Sequence, residues 1–158
     1  MEISEMLSPL VTDALRGMIQ HGTNSHADNK EMETLRVVVR EQLRREMRYN
    51  AELMNEQKLD LAVRVLNLET DALGFVFGQG IPLSTLLNRP LSEDTLRTAA
   101  GDSKKHAEHL LQLKTEAELI ERALHRIRMV KIRAKFDLGL GDVPYLRKLI
   151  VASHLSLS

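Results

Sequence analysis

An all-α fold, a helical bundle of five to seven helices dominated by two long amphipathic ones, is what this sequence predicts, and three observations carry the prediction. Residues from Lys30 to Leu73 contain neither glycine nor proline, and apolar side chains recur through them at helical spacing. A second stretch, from about Ser103 to Phe136, repeats the pattern. Aromatic residues are only 3% of the chain and tryptophan is absent, whereas Leu, Met, Ala and Arg recur throughout; these lose little rotamer freedom in a helix.

A length of 158 residues suits one helical domain, 1–158, able to bury its own core. Apolar residues at 43% set the chain apart from disordered sequences, whose hydrophobicity is too low to offset chain entropy. Cysteine is absent, which removes disulfides, thiolate metal sites and a cysteine nucleophile. The 22 Lys and Arg cancel the 22 Asp and Glu, so attraction to a polyanion has to come from a local patch. Met1-Glu2-Ile3-Ser4-Glu5 carries acid where a secretory signal carries base, and no apolar run approaches the roughly 20 residues that span a bilayer. A cytoplasmic location without a membrane partner is expected.

Each element has its own reason. Leu7, Leu10, Val11, Ala14, Met18 and Ile19 place a short amphipathic helix over 4–20, with Ser8-Pro9 as cap and first-turn proline. The small polar stretch 21–28 links it to the first long helix. Over 29–73 the stripe Met32, Leu35, Val39, Leu43, Met47, Met54, Leu61, Val65, Leu68 and Ala72 predicts one long helix or two nearly collinear ones. Asn50 and Gln57 fall inside that stripe, and buried amides need partners, so a kink or a polar pairing is expected in its middle.

Three glycines and Pro82 then end the long helix, and 74–101 reads as an apolar turn followed by short helices, the second opening on Ser92-Glu93-Asp94, a capping hydroxyl with acids suited to the dipole. The second long helix is expected over 103–136, with acids (Glu108, Glu116, Glu118, Glu121) in its first half and bases in its second, as the macrodipole favours. Leu138-Gly139-Leu140-Gly141 breaks it, and Asp142-Val143-Pro144 starts a C-terminal helix over 142–155.

Candidate chemistry concentrates in the basic run Arg122, Arg126, Arg128, Lys131, Arg133 and Lys135, which contains no acid. Its bases flank the apolar stripe on both sides, so they can meet phosphates while the stripe holds the helix down; covering the seam with their stems is the structural alternative. Arg36, Arg40, Arg44, Arg45 and Arg48 form a second cluster interleaved with Glu41 and Glu46. If the two basic regions lie side by side, phosphate binding gains; if each faces the acids of the other helix, it loses. Few aromatics means few base-stacking platforms, which leaves backbone contact as the mode.

His106 and His109 stand one turn apart, a spacing two metal ligands can use, but no H-E-x-x-H and no paired E-x-x-H helices complete a site. They read as surface histidines, with no metal or other cofactor expected. No nucleophile elbow, phosphate loop or dinucleotide fingerprint occurs, and no spacing selects an acid/base pair, so a non-catalytic protein is expected. Two apolar surfaces remain for a protein partner or a second copy of the chain, the structural alternative being that they cover each other as core: Phe75, Phe77 and Ile81 in the glycine-rich turn, and Met129, Ile132 and Phe136, which spread to a second face of the basic helix.

The order of a long helix, the turn Gly80-Ile81-Pro82-Leu83-Ser84-Thr85-Leu86-Leu87, a basic helix and a short proline-containing C-terminal helix is similar to small helical subunits of type I CRISPR surveillance complexes, which bind nucleic acid along their length. The likeness covers the second half of the chain and assigns no site. The sequence thus predicts a helical interaction or assembly module, an accessory of a larger complex, with contact to a nucleic-acid backbone through the basic half of the second long helix as the alternative.

Overall fold

The computed structural model describes Pro9 and residues 30–158, and of Leu73 and Phe77 the backbone alone. The expected helix over 4–20 lies outside the described residues. Those described are 73% helical with no strand, as an all-α fold requires. They form α1 (Lys30–Met54), α2 (Leu61–Leu66), α3 (Asp71–Gly78), α4 (Leu83–Leu86), α5 (Glu93–Ala100), α6 (Lys104–Leu111), α7 (Glu116–Lys135) and α8 (Val143–Leu157). No helix among them is long and apolar enough to cross a membrane.

In α1 the buried residues Met32, Leu35, Val39, Leu43 and Met47 follow the expected stripe, and Glu31 and Glu33 sit in the first turn where the dipole favours acid. The helix does not run on to residue 73. It stops at Met54, where Asn55-Glu56-Gln57-Lys58 offer no apolar side chain to bury, and 55–60 are exposed. The Arg64 Nη1 donates to the freed Met54 carbonyl at 2.8 Å. A second break, between α2 and α3, is held by α1 itself. Asn50 donates Nδ2 to the Glu69 carbonyl at 2.9 Å and accepts the Glu69 N–H on Oδ1 at 2.8 Å. The buried Glu46 accepts the Ala72 N–H on Oε1 at 3.1 Å, placing an acid at the N-terminus of α3. These side chains satisfy backbone groups that a continuous helix would have satisfied alone. Gly74, expected to end the long helix, lies inside α3, while Gly80 takes a positive φ of 73° in the turn after it.

The second long helix is also two. Residues 112–115 separate α6 from α7, and Thr115 caps α7 by accepting the Glu118 N–H at 3.2 Å, while Glu118 reaches back to accept the Lys114 N–H at 2.9 Å. The break is fixed from outside: the Arg89 carbonyl accepts the Glu116 N–H at 3.0 Å and the Lys114 carbonyl accepts the Leu91 N–H at 2.9 Å. Ser92 and Ser103 cap α5 and α6, and Asp142 caps α8.

Two cores result. One gathers α1, α2, α3 and α4 against Ile120, Leu124, Ile127 and Val130 of α7 and Leu146, Ile150 and Leu157 of α8. The other sets Leu96, Ala100 and Leu110 of α5 and α6 against Leu119 and Ala123 of α7 and Tyr145, Leu149 and Ala152 of α8. The C-terminal helix therefore packs along α1, α7 and α5 together. The two longest helices, α1 and α7, meet chiefly through it.

Candidate functional site

Burying Ile120, Ala123, Leu124, Ile127 and Val130 turns the opposite side of α7 outward. Arg122, Arg126, Met129 and Arg133 succeed one another there at steps of four, three and four, hence along one line. Between that line and the α7–α8 connection at Leu140 and Gly141 runs an open groove of about 580 Å³, also edged by His125. Among the described residues no acidic side chain lines it.

The six bases of the expected phosphate row do not share one task. The Arg126 guanidinium lies 5.4 Å from the centroid of the Tyr145 ring, a cation–π contact that fixes its position without neutralising it. Arg133 donates Nε to the Gly139 carbonyl, leaving its terminal nitrogens for other acceptors. Arg122 is exposed beside them. Lys131 departs from the expectation. It is half-buried and donates Nζ to the Leu68 carbonyl at 2.6 Å, tying α7 to the α2–α3 connection and leaving the row. Arg128 lies toward α3, where a methyl group on Gly74 would meet its guanidinium at 3.6 Å, and Lys135 Nζ sits 5.9 Å from the centroid of the Phe136 ring. Among the described residues none of the six forms an ion pair with a carboxylate.

The basic cluster of α1 is built differently. Arg44 and Arg45 both donate to Glu41, and these hydrogen bonds, Arg44's first, hold the Glu41 carboxyl down to about 2. Arg48 pairs with Glu52, Arg36 with Glu33, and Arg40 with Glu116 at the start of α7. One basic region thus meets acids on its own helix and on α7, while the basic half of α7 meets none among the described residues.

Below the groove the tip of α7 is apolar and exposed. Ile132 is 50% and Phe136 65% exposed, with Met129 and Leu138 beside them in sequence also exposed. Asp137 ends the helix at a positive φ of 54°, and the Arg133 carbonyl accepts the Leu138 N–H at 2.8 Å, which turns the chain sharply. Of the other expected partner surface, the two residues whose side chains are described do not lie exposed. Ile81, at 3% exposure, belongs to the first core, and Phe75 packs half-buried against it, because the glycine-rich turn folds onto α1 and α7 rather than outward. The Phe77 side chain lies outside the described residues.

His106, expected at the surface, is only 8% exposed. Lys148 Nζ lies 2.8 Å from its Nδ1 and an ammonium has no lone pair, so Nδ1 accepts and Nε2 carries the proton donated to Asp142 at 3.1 Å. Burial pushes the Asp142 carboxyl up, but hydrogen bonds from His106 and the Tyr145 N–H outweigh it and hold it below the ordinary value. The Tyr145 ring lies against His106 and, edge to face, against His109, each within 5.6 Å between centroids. Both His106 nitrogens are therefore engaged within the fold, and no group of three or more His, Asp or Glu among the described residues is set to hold a metal ion. No local pattern announces this network, since its members stand 36 and 42 residues apart.

No protein-family model, curated protein or solved structure matches the chain. The functional reading rests on the surface chemistry of α7.

Proposed function

We propose that the protein is a non-catalytic interaction module, an accessory of a larger assembly, which docks a protein partner or a second copy of itself on the tip of α7. The observation that supports this is the exposure of Met129, Ile132, Phe136 and Leu138 within ten residues of one another. Apolar side chains clustered in this way usually mark association surfaces, and the neighbouring bases supply a polar rim. The test is the molar mass of the purified protein by light scattering, alone and in the presence of cell extract cross-linked and resolved by mass spectrometry, for wild type and Ile132→Glu/Phe136→Glu. Self-association or a stoichiometric partner that the folded double variant loses supports the proposal. Identical behaviour of the two proteins sinks it.

A second reading is contact with a nucleic-acid backbone along Arg122, Arg126 and Arg133, supported by the groove they line, which has no acid among the described residues. At 1.5 Å per residue, 122–133 spans about 16 Å of helix, room for several phosphates of one strand. Three phosphate contacts give log K a slope of about −2 to −3 against log salt, and Arg122→Glu/Arg133→Glu removes most of it. Anisotropy with labelled single- and double-stranded DNA and RNA measures this. No binding at low salt rejects it.

A further inference from the structure

A second cavity, which shares no lining residue with the α7 groove, lies where the end of α1, the start of α2 and the first turns of α8 converge. It encloses about 290 Å³, near the lower limit for small-molecule sites. Its apolar wall is Met54, Leu61, Val143 and Pro144, and its polar wall is Arg64, Arg147 and Lys148.

All three polar lining residues are cations, and each is held by a neutral group. Arg64 donates to the Met54 carbonyl at 2.8 Å, and its Nε, also buried, has no hydrogen-bond partner among the described residues. Arg147 donates Nη2 to the side-chain carbonyl of Asn55. Lys148 donates to the neutral imidazole of His106. None of them forms a salt bridge among the described residues, and no acid lines the cavity. Asp142, which precedes Val143 in the chain, gives its carboxylate to His106 and the Tyr145 N–H instead. The contrast with α1 is chemical: there Arg40, Arg44, Arg45 and Arg48 each have a glutamate.

Like charges gathered round a partly apolar space repel one another, and an anion placed among them converts that repulsion into attraction. The fixed guanidiniums suit the planar or tetrahedral oxygens of carboxylate or phosphate. The four apolar residues suit a short hydrocarbon body. We infer that this cavity binds a small amphiphilic anion, a carboxylate or phosphate head on an apolar body of a few carbons, and so joins α1, α2 and α8. The inference is independent of the tip and groove of α7.

Hexanoate, hexyl phosphate, inorganic phosphate, hexanol and hexylamine are the probes, titrated into ¹⁵N-labelled full-length protein by NMR with the melting temperature followed in parallel. Saturable shifts confined to 54–64 and 142–148, with hexanoate or hexyl phosphate raising the melting temperature, are expected. Which of the two binds more tightly distinguishes a carboxylate head from a phosphate ester. Inorganic phosphate shows whether the head alone suffices. Arg147→Gln, at an exposed position, and Lys148→Gln are each expected to weaken binding about tenfold, the usual worth of one charge-assisted contact. Equal binding of hexanol or hexylamine, shifts elsewhere in the protein, no saturation by either amphiphilic anion, or unchanged affinity in both folded variants would each overturn the inference.

Discussion

Arg40 and Glu116, 76 residues apart, form a two-pronged ion pair between the middle of α1 and the first residue of α7, with the carboxylate almost wholly removed from solvent. Both Arg40 terminal nitrogens are used, one on each carboxylate oxygen. It is a polar bridge between two helices that otherwise meet mainly through α8.

Removing only the arginine leaves a buried carboxylate without its charge partner. Arg40→Met is expected to destabilise the protein by about 3–5 kcal/mol, and the double change Arg40→Met/Glu116→Leu to recover most of that loss. Urea unfolding of the two single variants and the double variant measures the coupling. Additive effects would mean that the pair contributes nothing as a pair.

Asn50 holds the Glu69 backbone from both sides, so Asn50→Leu leaves a donor and an acceptor unsatisfied near the core. A loss of about 2–4 kcal/mol is expected. Amide hydrogen exchange should show residues 67–72 opening first. A change under 1 kcal/mol would mean that the break between α2 and α3 does not depend on the clasp.

How much of this was legible in sequence differs by element. The stripe from Met32 to Met47, the proline start of α8 and the serine caps of α5 and α6 are local patterns, and all are present. Asn50 was legible as a buried amide in need of a partner, but Glu69 as that partner was not, because the pairing is tertiary. The break before α7 did leave a trace, Thr115-Glu116-Ala117-Glu118, a capping box inside what periodicity alone reads as continuous helix. In the candidate site, the bases of α7 and the exposure of Met129, Ile132 and Phe136 come from their spacing. The withdrawal of Lys131 to Leu68, the burial of Ile81 and the His106 network depend on tertiary contacts, those of Lys131 and His106 reaching 63, 36 and 42 residues away, which no helical wheel contains.

The Tyr145 hydroxyl is buried and has no hydrogen-bond partner among the described residues. Tyr145→Phe keeps the ring against His106, His109 and Arg126 and removes an unsatisfied polar group. The variant is expected to equal the wild type or exceed it by about 1 kcal/mol. A loss above 1 kcal/mol in thermal or urea unfolding would show that the hydroxyl has a stabilising role.

Burial first, then Arg44 and Arg48 across the α1–α8 interface, lower the affinity of His154 for a proton, and Glu52 opposes them only in part. The unfolded chain therefore takes up its proton at a higher pH than the folded one. Stability contributed by the neutral imidazole is present above about 6.5 and is lost as pH falls below that value toward the folded-state pKa. His154→Gln should flatten the decline in urea midpoint between pH 7 and pH 5. An unchanged slope would assign the acid sensitivity to other groups.

Because α8 covers α1, the apolar stripe of α1 has no cover from that helix until about ninety further residues have been made, from Met54 to Val143. At about 5–20 residues per second that is a wait of roughly 5–20 seconds on the ribosome. During that interval only α2, α3 and α4, of the described helices that pack on α1, can cover Met32, Leu35, Val39, Leu43 and Met47, so whatever part of the stripe α8 buries stays open to other apolar surfaces on the nascent chain.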